Sequence, residues 1–273
     1  MSDADPRATG APPWGAHTVA TEETLHARLG PLELWARRRA AEWRVAHRSA
    51  DDFMAERCAV ERQAGDPGLP ADVAVERFAF RKTDGVLELA PATADRAMVV
   101  KPELPFHLLP GEVVTLFVTT PLWLRVLTSA GAAELLDVPT SRPSDTWFGP
   151  LTRPGELCYA ARTSARLELD DLQRRTSRCI TAVEVKNLAH GELLLEHIRL
   201  PLPTLALYRD REGYLWTDTV GLTMEAKAAP GEVSIEVRPP VVAGDTERVA
   251  GPRRTAAPRY SFGAFASRLG LTG

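Results

Sequence analysis

The sequence predicts an all-β protein, a mainly antiparallel sandwich or partly open barrel, with a short helix at its C-terminal end. Three observations carry that prediction. Runs rich in Val, Thr, Leu and aromatic residues recur between positions 72 and 237, the composition of strands. Several of them alternate apolar and polar residues with period two, which turns one side toward a core and the other toward water. Turn formers punctuate them at residues 188–191, 210–213 and 230–231, and no alternation of strands with long helices is visible.

In chain order, residues 1–21 carry Pro6, Gly10, Pro12, Pro13 and Gly15, too many breakers for a regular element. They read as a flexible arm with Trp14 as its anchor. Residues 22–238 form the β-rich domain, and if it divides into two sub-lobes the break falls near 64–72. Leu25, Leu29 and Leu32 fit a helical face, whereas Glu42-Trp43-Arg44-Val45-Ala46-His47 alternates as a strand does. A hairpin from Gly30-Pro31 onward is the favoured reading. Residues 51–63 read as a short helix capped by Asp51 or Asp52 and ended by Gly65-Asp66-Pro67-Gly68.

Residues 73–81 read as a strand with Phe78 and Phe80 on one face. Val113-Val114-Thr115-Leu116-Phe117-Val118 is nearly continuous in strand formers and predicts a central strand covered on both faces. Thr119-Thr120-Pro121 breaks it, 122–127 resumes it, and this pair is the expected core. Residues 180–186, 193–200, 205–208, 214–217 and 233–237 continue the rhythm. Residues 239–258, rich in Pro, Gly and Arg, have the composition of a solvated linker. Beyond it, 259–273 predict an amphipathic helix in which Phe262, Phe265 and Leu269 fall at i, i+3 and i+7. That helix either docks on a groove of a partner protein or folds back onto its own domain.

Composition bounds the function classes. With 44% hydrophobic and 25% charged residues, the 273-residue chain is an ordinary globular one. A net charge of −3, with Lys and Arg scattered, gives no electrostatic footprint for nucleic acid. Cys58, Cys158 and Cys179 are widely separated and form no Cys-x-x-Cys pair, which argues against a disulfide framework and a zinc knuckle. No apolar run approaches the roughly 20 residues needed to span a bilayer, and residues 1–13 lack the apolar core of a signal peptide. The expectation is a cytoplasmic protein with no membrane insertion, no metal and no cofactor.

The common phosphate-binding, dinucleotide, serine-hydrolase and zinc-protease motifs are absent from the sequence. His190 and His197 are seven residues apart and would face opposite ways on one strand, and His107 reads as an edge or core histidine. The best candidate site is Asp145 with Trp147, Phe148, Glu156, Tyr159 and Arg162. Read as chemistry, Asp145 and Glu156 serve as acid and base against a sugar that stacks on Trp147. Read as structure, Ser144-Asp145 caps a turn while Trp147 and Phe148 plug one end of the sandwich. Glu168, Asp170 and Asp171 form a second acidic group, a calcium site in one reading and a solvated edge that discourages sheet pairing in the other.

Several ordered blocks carry a resemblance: Gly30-Pro31-Leu32-Glu33-Leu34-Trp35, Glu42-Trp43-Arg44, the run from Val113 through Trp123, Ser144 to Pro150, Gly155-Glu156-Leu157-Cys158-Tyr159 and Leu200-Pro201-Leu202-Pro203. Together they resemble an uncharacterised family of archaeal and bacterial proteins, domain of unknown function 432, over about residues 30–237. The resemblance implies one domain family and strands at 32–47, and it brings no catalytic residues. The function expected is a non-enzymatic binding or assembly module that takes a protein partner or a small ligand. The alternative is a carbohydrate- or small-molecule-active enzyme using Asp145 and Glu156.

Overall fold

A computed structural model describes residues 13–65, 69–128, 133–149, 155–226, 233–240 and 244–255. Among these the regular structure is strand, apart from two single 3-10 turns at Leu169–Asp171 and Leu202–Thr204, so the all-β expectation holds. The predicted C-terminal helix, with Phe262, Phe265 and Leu269, lies outside the described residues. The chain forms two compact units: one of Met1–Ala92, Leu122–Arg142 and Arg175–Ser177, the other of Thr93–Pro121, Pro143–Arg174 and Arg178–Gly273.

The first unit contains β1 (Gly15–Thr18), β2 (Glu23–Leu29), β3 (Leu32–Arg38), β4 (Glu42–Ser49), β5 (Cys58–Ala64), β6 (Val75–Ala79), β7 (Val86–Ala92), β11 (Trp123–Thr128) and β12 (Glu134–Pro139). They make two antiparallel sheets, β1-β7-β11-β12 and β5-β2-β3-β4-β6. Strand alternation builds the core. Leu25 and Ala27 of β2, Leu32, Leu34 and Ala36 of β3, and Trp43 and Val45 of β4 pack with Leu87, Leu89, Leu124 and Val126 of the other sheet. The hairpin expected from Gly30-Pro31 is present, with Leu29 opposite Leu32 in the β2–β3 turn and β3 paired to β4.

Three expectations change here. The predicted helix over 51–63 is strand β5 in its second half, paired with β2 from Cys58–Leu29 to Ala64–Glu23. Asp52 makes an Asx turn in place of a helix cap, its Oδ1 accepting the Met54 N–H at 2.9 Å. Tertiary pairing outweighs a helical pattern in so short a segment. Residues 64–72 separate no lobes, because β5 and β6 on either side of them belong to one sheet. β1 is a regular strand inside the stretch read as a flexible arm, held along β7 by register from Gly15–Leu89 to Thr18–Val86.

The outer face of the second sheet carries a buried acid. Glu33 accepts Arg48 Nε at 2.7 Å on one oxygen and Arg57 Nη1 at 2.8 Å on the other. Burial alone would raise its pKa, but the Arg48 hydrogen bond and the charges of Arg48 and Arg57 outweigh it and hold the carboxyl below its ordinary 4.5. Because the folded pKa is depressed, the stabilisation is complete above 4.5 and is lost as pH falls through the folded value. Glu33→Gln is therefore expected to lose about 1–3 kcal/mol at pH 7. Urea midpoints at pH 7 and pH 3 check this, with wild type and variant converging at the lower pH.

The second unit contains β8 (Met98–Val100), β9 (Phe106–Leu108), β10 (Val113–Pro121), β13 (Ser144–Phe148), β14 (Glu156–Ala160), β15 (Arg178–Asn187), β16 (Leu193–Leu195), β17 (Ile198–Leu200), β18 (Leu207–Arg209), β19 (Leu215–Thr217), β20 (Thr219–Met224), β21 (Ser234–Arg238) and β22 (Glu247–Ala250). β15 is the centre of the largest sheet, with β10 antiparallel along one edge and β20 and β19 parallel along the other. The expected central strand β10 stands one place further out. Its first half is solvated, Val113 being 52% exposed, and beyond β15 it makes only the Phe117–Arg166 bridge among the described residues.

The break expected at Thr119-Thr120-Pro121 is also absent. β10 runs unbroken to Pro121, and β11 lies in the other unit between β7 and β12. Residues 193–200 are two strands, β16 on β9 and β17 on β8. Within the predicted linker, β22 pairs with β18.

Candidate functional site

The stretch densest in aromatics, turn formers and charges folds as β13, β14 and the turn that follows. Asp145 stands opposite Tyr159, Trp147 opposite Leu157, Thr146 opposite Cys158 and Phe148 opposite Glu156. Opposed residues of an antiparallel pair share a face, and neighbours along a strand alternate. Asp145, Trp147, Leu157 and Tyr159 thus occupy one face, and Phe148, Glu156 and Cys158 the other.

The second of these faces is the inner one. Phe148 and Cys158 pack with Ala97 and Val99 in a small core. Glu156 accepts Nε and Nη2 of the buried Arg199 at 2.6 and 2.5 Å. Burial, and then the Glu156 charge, push the Cys158 thiol up to about 11, so it stays protonated at neutral pH. Burial has the same effect on Cys179, pushed up to about 11.

The outer face is a platform. Trp147 is 54% exposed. A Cβ placed on Gly155 would fall 2.4–2.5 Å from three atoms of the indole, so the ring packs against the Gly155 backbone. Leu157, also exposed, extends the apolar surface. Arg96 donates from Nη1 to Asp145 Oδ1 at 3.2 Å, and its guanidinium stands 5.3 Å from the Tyr159 ring centroid, at cation–π distance. The Tyr159 hydroxyl donates to Asp95 Oδ1 at 2.9 Å. Burial, and then that acceptor, push the phenol up to about 12, which keeps it a hydrogen-bond donor at neutral pH.

The structure therefore brings together Asp145, Trp147 and Tyr159 and separates them from Phe148 and Glu156. Arg162 is exposed in the turn beyond β14. The acid–base reading fails on register, because Asp145 and Glu156 project from opposite faces and each sits in its own ion pair. The turn-and-plug reading is corrected as well: Ser144 and Asp145 are strand residues, and only Phe148 is buried as a plug. Three contributors were missed, Asp95 and Arg96 on the outer face and Arg199 on the inner one. They stand tens of residues from their partners, and no local pattern marks them.

The other candidates are dispersed. Glu168, Asp170 and Asp171 are exposed around the 3-10 turn Leu169–Asp171, a shape that removes the alternation expected of a strand. Among the described residues no three His, Cys, Asp or Glu side chains are grouped to hold a metal ion. His190 follows β15 and His197 lies between β16 and β17, so they share no strand. His107, on β9, is half-exposed 3.4 Å from Glu192. No helix of the described residues is long and apolar enough to cross a membrane.

A family profile described as "Protein of unknown function (DUF432)" matches residues 13–265, nearly the whole chain, and the chain belongs to that family. No curated protein sequence and no solved structure matches it.

Proposed function

We propose that this member of the DUF432 family is a binding module, not an enzyme, and that the outer face of β13–β14 takes a sugar ring. The observation that carries the reading is Trp147, an indole packed against Gly155 and yet largely exposed. An exposed Trp that no core requires costs solubility and folding free energy, and such residues concentrate at recognition surfaces. The C–H face of a pyranose covers an indole well, while its hydroxyls need both donors and acceptors. Asp145 and Tyr159 share the face with the ring, and there Arg96 supplies N–H donors while the Asp145 carboxylate and the Tyr159 oxygen accept. The binding reading asks nothing of Glu156, which is committed to Arg199.

The test is a titration of the full chain with hexaoses of glucose, mannose and N-acetylglucosamine, followed by calorimetry and by amide shifts of β13 and β14. Trp147→Ala should weaken binding roughly tenfold, the equivalent of about 1.4 kcal/mol of lost stacking. Gly155→Ala should do nearly as much by lifting the ring from its seat, with the melting temperature little changed because the displaced indole swings into solvent. The reading fails if none of the three sugars perturbs β13–β14, or if Trp147→Ala binds as wild type does.

A further inference from the structure

A second site stands apart from the platform, in the same unit. Loop residues 101–106, β10 and the segment 165–171 enclose a half-open cavity of about 280 Å³, just under the range of about 300–1,000 Å³ that holds drug-sized ligands. Buried Pro102, Leu116 and Ala165 form its floor, and Leu104 and Leu167 its rim. Leu104 is 75% exposed and Leu167 54%, so two large aliphatic side chains stand in water at the mouth of an apolar hollow. The wall is pinned by its backbone. Ala165 N–H donates to Lys101 O at 2.8 Å, and Arg166 and Phe117 exchange N–H to O bonds at 2.9 and 2.7 Å. A hollow fixed in this way is preformed and needs no collapse to accept a ligand.

The charges at the rim select the ligand. Arg166 is neutralised by an ion pair with Glu103. Asp171 lines the cavity and, among the described residues, makes neither an ion pair nor a side-chain hydrogen bond. Glu168 and Asp170 add negative charge along the same turn, and among the described residues Asp170 is met only by Arg174 at 3.8 Å. An anion entering here would meet uncompensated carboxylate, whereas a cation would find Asp171 unoccupied. We infer that this cavity binds a small organic amine, its apolar body between Leu104, Phe106 and Leu167 and its ammonium on Asp171.

The experiment uses three probes of one shape on the full chain: 2-phenylethylamine, neutral 2-phenylethanol and anionic 3-phenylpropanoate, followed by amide shifts of residues 165–171. The amine is expected to bind at least tenfold more tightly than the alcohol, and the carboxylate more weakly than either. Asp171→Asn, a change at an exposed position, should bring the amine to parity with the alcohol. Leu104→Ser should weaken both by a similar factor. The inference is overturned if no probe shifts those amides, if alcohol and amine bind wild type alike, if the carboxylate is preferred, or if Asp171→Asn leaves the amine unchanged. Trp147→Ala should have no effect on these titrations, so this site and the platform stand or fall separately.

Discussion

Trp43→Ala is expected to lower stability by about 3–5 kcal/mol, the range for removing a large aromatic side chain from a core. Trp43 is fully buried in the first unit and lies across from Arg38 on β3 and Phe78 on β6. Its side chain belongs to the cluster that joins the two sheets of that unit. Its indole Nε1 is buried with no hydrogen-bond partner among the described residues, so Trp43→Phe removes an unsatisfied donor along with part of the volume. That variant should therefore lose much less, about 1–2 kcal/mol. Urea midpoints separate the two, and equal losses would show that packing at Trp43 is not what holds the sheets together.

Gly30→Ala is expected to cost about 2–5 kcal/mol. Gly30 adopts φ +57°, where an L side chain is strained by roughly 1–2 kcal/mol. A Cβ there would also lie 2.5 Å from Ser177 Oγ and 2.6 Å from Ser177 Cβ, an overlap worth about 1–3 kcal/mol. The turn leaves little room to relax, because Pro31 follows and the Gly30 N–H is bonded to Arg57 O at 2.6 Å. Ser177→Gly made in the Gly30→Ala background should recover the steric share and leave the backbone share, so the double-mutant cycle should show coupling. Strict additivity of the two changes in thermal or urea unfolding would contradict contact between these positions.

The fold class was legible because strand alternation is a local property. Gly30-Pro31, between two alternating runs, marked its hairpin without any distant information, and Val183 and Val185 against Glu184 and Lys186 marked which side of β15 is covered. Partners are not local. Nothing in 113–118 distinguishes a central strand from its neighbour, because Leu116, Val118 and the residues after them are covered whichever strand lies at the centre. β5 shows the opposite limit, a segment whose helical pattern yields to the free edge of β2.

At the site, the sequence pointed to Asp145, Trp147 and Tyr159 through their density, but it could not assign faces. One residue of register decides whether Asp145 and Glu156 share a cleft, and that register depends on how 144–148 and 156–160 align. Arg96 and Arg199 were invisible for a simpler reason: an arginine among many carries no mark of the carboxylate it will meet.

The chain passes from one compact unit to the other at 92/93, 121/122, 142/143, 174/175 and 177/178. No single cut of the gene can therefore deliver either unit. A truncated clone would strand β11 and β12 without β7, or β10 without β15. Fusion, shuffling or recombination of this protein must treat it as one inheritable piece, and a library built by exchanging halves with a relative should yield few soluble members at any crossover between residues 92 and 178.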